Sequence, residues 1–471
     1  MFFQRFYDDR LAQASYLIGC QATGTAIVID PAREISGYLT AAAAEGLAIE
    51  AVTETHIHAD FVSGLRELAA ATGARMYLSG CGPAEWQYGF RSDPGVTLLQ
   101  DRGTISIGNI AITAVHTPGH TPEHLSFLVT DGAATDQPIG IVTGDFVFVG
   151  DVGRPDLLEK AANLANTAEA GARQLWQSLG WFKGLPDHLQ VWPGHGAGSA
   201  CGKGLGAMPQ STVGYERRVN WAFGAATEAE FVRQVLAGQP EPPRYFGRMK
   251  QVNRDGPPVR GSVPLPARLA GAALVDALRT GVVVDVRPTS EFAVSHVPGT
   301  LNIPMGKNFP TYAGSLLPYD RDLYFVLPDP TPAAMTALVR SLASIGFDRV
   351  AGVFGSEGYQ AWQASGGQPG STPQLSVAEL RAGSKDRYLI DVRDTSELEG
   401  GRIAGANHIP LPDLIERLAE IPPSADIVVH CQGGGRSAIA TSVLKRAGHL
   451  KVANLSGGFG AWVAAGGPVE R

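Results

Sequence analysis

With 471 residues, 44% of them hydrophobic and 18% charged, the chain is long enough for two to four domains with well-buried cores. A net charge of −7 and a pI near 5.9 argue against nucleic acid or an anionic membrane as partner. No apolar run reaches the length of a membrane span, the start lacks a signal-peptide layout, and four scattered cysteines without a CxxC pair suit free thiols in a cytoplasmic protein.

Taken in chain order, residues 25–30 read as a buried strand, 34–46 as a helix and 49–53 as a strand. That strand leads into Thr55-His56-Ile57-His58-Ala59-Asp60, ahead of a helical pattern over 61–71. Two imidazoles and a carboxylate thus sit on a strand-to-helix turn, and both are metal-ligand types. Residues 104–115 read as a hairpin through Gly108-Asn109. Strands over 125–129 and 139–142 and a helical stretch over 163–179 follow. Between them lie Thr117-Pro118-Gly119-His120-Thr121, Thr143-Gly144-Asp145 and Pro193-Gly194-His195-Gly196, each after an apolar run whose end can aim a side chain at one point. Strands mixed with helices in two similar halves suit an αββα sandwich over 1–237. Residues 238–264 are rich in Pro and Gly and read as a linker without regular structure, laid against a domain surface.

Two similar units follow, at 265–368 and 374–471, each read as a small α/β domain with a parallel sheet. DVRPTSEFAVSHVPGTLNIP from Asp285 and DVRDTSELEGGRIAGANHIP from Asp391 match in register. The second unit carries Cys431-Gln432-Gly433-Gly434-Gly435-Arg436-Ser437 between a buried strand and a helix. Its glycines permit a tight curl with backbone N–H groups pointing at the sulfur. That nest, the helix N-terminus and Arg436 favour a thiolate and an anionic sulfur ligand, with Gln432, Gly433, Gly434, Gly435 and Ser437 forming the substrate cradle. The first unit lacks these groups: Pro328 is read at the Cys431 position and Ala333 at that of Arg436.

The four polar loops of the first domain resemble the metallo-β-lactamase superfamily, and the duplicated units resemble rhodanese sulfurtransferases. Four residues between Cys431 and Arg436 make a tighter loop than that of the related phosphatases and arsenate reductases, and suit transfer of one sulfur atom. Two-metal hydrolases such as glyoxalase II carry THxHxDH, whereas this chain reads THIHADF, with Phe61 in place of a histidine. Two imidazoles and a carboxylate at one metal form a set used for non-haem iron(II). With rhodanese units attached, the chain resembles the bacterial fusion of a persulfide dioxygenase with an inactive and an active rhodanese domain.

That resemblance implies one Fe(II) in the first domain, held by His56, His120 and Asp145, with His58, Asp60 and His195 supporting it. It implies oxidation of a low-molecular-weight thiol persulfide by O2 to sulfite, then sulfur transfer through Cys431 to sulfite, giving thiosulfate in sulfide detoxification. It also implies self-association into a homo-oligomer, and it places Arg154 near the thiol substrate; the alternative for Arg154 is a salt bridge. Cys201 has two open readings. It accepts or routes sulfur with Lys203 lowering its pKa, or it is a small buried packing residue. Rival functions are a metal-dependent thioester hydrolase with a sulfur-carrying rhodanese, and a non-catalytic persulfide trafficking protein.

Overall fold

The computed structural model describes residues 1–162, 167–261, 263–383 and 387–471, which divide into two compact units. The first comprises residues 1–263 with 343–346, the second residues 264–342 with 347–471. Among the described residues no helix is long and apolar enough to cross a membrane.

The first unit is built on two six-stranded sheets. One takes β1 (Phe2–Asp8), β2 (Gln13–Cys20), β3 (Thr25–Ile29), β4 (Ala48–Thr53), β5 (Arg75–Ser79) and β6 (Val96–Leu99) in sequence order. The other takes β7 (Thr104–Ile107), β8 (Ile110–His116), β9 (Leu125–Asp131), β10 (Gly140–Gly144), β11 (Gln190–Pro193) and β12 (Ser211–Thr212), also in order. Successive side chains of a strand face opposite ways, so each strand feeds two cores. Tyr16 and Ile18 pack between the sheets with Ile112, Phe127 and Trp192. Leu17 joins the outer layer with Tyr38, Leu65 and Leu68 from the covering helices. On the far side Ile141 and Val191 meet Leu175 and Leu179 of the helix Thr167–Phe182. This is the expected αββα sandwich. The hairpin pairs Ile107 with Ile110 across Gly108-Asn109, as its turn residues require.

Two expectations change, and a third is met only where the residues are described. The helix expected over 61–71 begins only at Leu65, because the backbone before it is tied elsewhere: the Ser63 N–H donates to Asn253 and the Gly64 N–H to Pro31. The helix expected from 163 is seen as Thr167–Phe182; residues 163–166 lie outside the described residues. The linker is not irregular throughout, since Phe246–Asp255 is an α-helix belonging to the first unit. Phe246, Met249, Lys250 and Asn253 form its buried face, at the i, i+3, i+4, i+7 spacing of a helix stripe. The prolines at 242–243 and 257–258 flank this helix and do not interrupt it.

The second unit has two parallel sheets. In the first, β13 (Val282–Asp285) lies between β14 (Leu301–Asn302) and β15 (Leu323–Val326), with β16 (Val350–Phe354) beyond. In the second, β17 (Gln374–Leu375) starts the chain order and β18 (Tyr388–Asp391) begins the repeat core. The short pair β19 (Arg402–Ile403) and β20 (Asn407–His408) follows, then β21 (Ile427–His430), β22 (Val452–Leu455) and β23 (Val469–Glu470). The order is β17-β22-β21-β18-β20, and β19 pairs with β23. Asp285 pairs with Val326 and its repeat equivalent Asp391 pairs with His430. The residue after each strand is therefore Leu327 in one copy and Cys431 in the other. Leu327, not Pro328, occupies the cysteine position, and Pro332, not Ala333, that of Arg436. Neither Leu327 nor Pro332 can supply a thiolate or a cation.

Candidate functional site

The ends of β4, β10 and β11 and the turn between β8 and β9 deliver the polar loops of the first unit to one cluster. His56, His120 and Asp145 are all buried, and one ligand atom of each lies within 4.8 Å of the others. Asp145 Oδ2 stands 3.6 Å from His120 Nε2 and 3.9 Å from His56 Nε2. Both carboxylate oxygens of Asp145 lack a hydrogen-bond partner. Buried carboxylate oxygens without partners are costly, and a cation between these donors would satisfy them.

The imidazoles are oriented from behind. His56 Nδ1 donates to Thr55 Oγ1 at 2.9 Å, and that hydroxyl donates in turn to Asp30. His120 Nδ1 donates to the Arg154 carbonyl at 3.0 Å. Each arrangement leaves Nε2 as a free lone pair facing Asp145, the orientation a metal ligand needs. Burial pushes both pKa values well below the usual histidine range, so both rings are neutral. Burial also pushes Asp145 up to about 6. Gly144 precedes it at φ +50, where a Cβ would lie 2.5 Å from Thr55 Oγ1 and 2.8 Å from His124 Nε2, so the close approach requires glycine.

Behind this cluster sit supports that the sequence did not disclose. His124 Nε2 accepts the Asp145 N–H at 3.2 Å and its ring stacks on His56 at 5.2 Å. Burial takes it down to about 3, so it remains a neutral acceptor. Asp30, in a left-handed conformation at φ +54, accepts from the Thr55 N–H at 2.6 Å and meets His58 Nε2 at 3.0 Å. Burial alone would lower His58, but the Asp30 carboxylate raises it to about 9, making it a buried cation turned to Asp30. The Phe61 ring packs 4.5 Å from His58.

Asp60, His195 and Cys201 form a second buried cluster with donor atoms within 4.8 Å. His195 donates through Nδ1 to the Ala12 carbonyl, and its Nε2 lies 3.3 Å from Asp60 and 3.5 Å from Asp145. The structure corrects the reading of Lys203: its amine bonds the Gln234 and Ala237 carbonyls and lies over Trp221. It lowers no thiol; burial beside Asp145 and Asp60 raises Cys201 well above the usual thiol range. Of the two readings of Arg154, the structure shows the salt bridge. It is fully buried in a bidentate pair with Asp156 and also donates to the Ala200 carbonyl. Its backbone, through His120, is what serves the site.

In the second unit Cys431 follows β21 and is 2% exposed. The Gly434 N–H points at its sulfur at 3.1 Å and the Ser437 hydroxyl at 3.5 Å. Burial raises the thiol pKa, but hydrogen bonds from Ser437, Gly433 and Gly434 outweigh it and the net shift is downward. The loop is pinned from outside by the Phe459 and Gly460 N–H groups, which donate to the Cys431 and Gln432 carbonyls. Arg436 does not donate to the sulfur. Its guanidinium is paired with Glu397 at 2.6 Å and Asp394 at 3.2 Å, so it closes the rim of the loop. A cavity of about 550 Å³ flanks the loop, lined by Gly433, Gly434 and Gly435 together with Thr289 and Ser290 of the first copy.

Residues 8–195 match the metallo-beta-lactamase superfamily, and 271–365 and 376–465 match the rhodanese-like domain. A solved metallo-beta-lactamase from Staphylococcus aureus subsp. aureus COL is 41% identical, covering 75% of this chain and 99% of its own, with a TM-score of 0.67. The chain belongs to the metallo-beta-lactamase superfamily. Two rhodanese-like domains complete it. A sulfurtransferase of Allochromatium vinosum is 35% identical over 94 residues, 20% of this chain and 88% of that protein. A hydroxyacylglutathione hydrolase of Rhodospirillum rubrum is 30% identical over 38% of this chain and 60% of its own length. The metallo-beta-lactamase domain thus holds candidate metal ligands, and the last rhodanese-like domain holds the candidate nucleophile.

Proposed function

We propose that the chain is a non-haem iron(II) persulfide dioxygenase coupled to a sulfurtransferase. The observation that carries this reading is the His56–His120–Asp145 donor set, in one chain with an activated Cys431 loop and with Phe61 where a further imidazole would serve a second metal. The donors fit such an ion: two neutral imidazoles fixed by their Nδ1 bonds, and a carboxylate with both oxygens unpartnered. Iron(II) held by these residues would supply affinity for a soft sulfur ligand and the redox chemistry that O2 requires. The protein's own part is to hold His56 and His120 neutral, to aim Asp145 through His124, and to bury the reacting atoms.

Sulfur transfer is assigned to Cys431. Its thiolate attacks the outer sulfur of a thiol persulfide, an S–S bond breaks, and the thiol leaves with the electron pair. Sulfite then attacks the outer sulfur of the Cys431 persulfide, forming thiosulfate and returning the cysteine. The N–H groups of Gly433 and Gly434 and the Ser437 hydroxyl hold the negative sulfur in both steps.

The test is anaerobic purification, metal analysis, and oxygen uptake with several thiol persulfides. Iron near one equivalent with persulfide-dependent oxygen uptake is expected, and Asp145→Ala should remove both while sulfur transfer persists. Full iron occupancy in Asp145→Ala would falsify the ligand assignment. The second reading, a two-metal thioester hydrolase, draws on the Asp60–His195–Cys201 cluster. Two metal equivalents and thioester cleavage without oxygen uptake would establish it instead.

A further inference from the structure

The helix Phe246–Asp255 is fastened to the metal loop by Asn253. Its amide N–H groups donate to the carbonyls of His58 at 2.8 Å and Phe61 at 2.7 Å, and its oxygen accepts from the Ser63 N–H at 2.9 Å. Lys250 lies one turn earlier on the same buried face. It is 6% exposed, on a face otherwise made of Phe246, Met249 and Asn253. Its ammonium lies 4.7 Å from the Trp86 ring. Among the described residues no hydrogen bond reaches that ammonium, and no carboxylate oxygen comes within the 4.0 Å of an ion pair.

A buried ammonium with no hydrogen-bond acceptor is costly, and such a charge persists where a ligand uses it. The charges it meets are those around the metal pocket: His56, His120, Asp145, Cys201, and Glu123, whose carboxylate accepts the Ile57 N–H between His56 and His58 at 2.9 Å. Burial takes the ammonium down to about 8, and the Glu123 and Asp145 carboxylates oppose that shift. The sequence explains the placement. Asn253 fixes the rotation of the helix, and a residue three positions earlier has to share its face.

We infer that Lys250 is the anion-anchoring residue of the metal pocket, holding the negatively charged end of the incoming ligand beside His56, His120 and Asp145. The inference rests on the reading of that pocket as a persulfide site. It goes further in naming the group that recognises the ligand's charge, which is the terminal sulfur anion or a carboxylate on the thiol. Lys250 is a binding and positioning residue; it breaks no bond itself.

The experiment compares wild type, Lys250→Met and Lys250→Arg as full-length chains. Methionine keeps the length of the stem against Trp86, and arginine keeps the charge. Metal content and Tm are measured first, then anaerobic calorimetric binding of glutathione, then KM and kcat for the persulfides of glutathione and of 2-mercaptoethanol. Expected for Lys250→Met are unchanged metal, a KM about 10- to 100-fold higher, a kcat changed far less, and partial rescue in Lys250→Arg. A penalty for glutathione persulfide alone, with weakened glutathione binding, identifies the carboxylate; an equal penalty for both identifies the sulfur anion. Unchanged KM and unchanged glutathione binding in a folded, metal-replete Lys250→Met protein would overturn the inference. Absence of oxygen uptake in wild type would overturn the functional reading instead, and the glutathione titration would still judge Lys250.

Discussion

Each imidazole around Asp145 is set by what its Nδ1 touches: Thr55 for His56, the Arg154 carbonyl for His120, the Ala12 carbonyl for His195. His124 acts differently, taking the Asp145 N–H on Nε2 while its Nδ1 bonds Thr117. His124→Ala should therefore weaken metal binding by about 10- to 100-fold, measured by competition with a chelator; an unchanged affinity would rule out this role. The loops of His56, His120, Asp145 and His195 are legible in the sequence because each follows an apolar run, and the family resemblance selects His56, His120 and Asp145 among them. The role of His124 is not legible there, since its partner is 21 residues away and is reached only by the antiparallel pairing of β9 with β10. Cys431 allows a second test. Hydrogen bonds lower its pKa, so the thiolate form should be reached below the ordinary thiol midpoint of about 8.5. Ultraviolet titration of wild type minus Cys431→Ser reads that midpoint. Ser437→Ala should move it upward, because a donor to the sulfur is gone.

At the scale of elements, the helix Phe246–Asp255 is what the sequence concealed most fully. Its Phe246, Met249, Lys250 and Asn253 stripe is present in the sequence, but prolines close on both sides gave the segment the look of a linker. Those prolines mark where the helix can begin and end. Asn253→Ala would leave the Ser63 N–H and the carbonyls of His58 and Phe61 without their partner. Buried groups of this kind cost about 1–3 kcal/mol each when orphaned. A lower denaturant midpoint for the first unit is expected, with the second unit's transition unmoved; equal midpoints would mean the helix is held by its apolar residues alone. The duplication carries a similar lesson. The repeat pattern alone puts Pro328 opposite Cys431, whereas strand pairing of Asp285 with Val326 and Asp391 with His430 puts Leu327 there. A one-residue slip is hard to see in a sequence because the loops after the two strands differ in composition. It changes every position after it, although neither Leu327 nor Pro328 offers a thiol.

At the scale of the whole molecule, the metal cluster and the Cys431 loop lie in separate units of one chain. On the proposed chemistry, sulfite links them: one site makes it and the other consumes it. Cys431→Ser removes the only group in its loop that can hold a transferable sulfur and leaves the metal donors untouched. Oxygen uptake should then persist while the product changes from thiosulfate to sulfite. Asp145→Ala has the opposite defect, retaining sulfur transfer without making sulfite. Because sulfite is small and strongly hydrated, it can leave one chain and reach another. Mixing the two full-length variants with a thiol persulfide and O2 should therefore restore thiosulfate, at a rate that rises with the concentration of the Asp145→Ala protein. Persistent sulfite in the mixture, with each variant separately shown to keep its remaining activity, would show that sulfite does not pass freely between chains. Thiosulfate from Cys431→Ser by itself would remove Cys431 from the sulfur path altogether.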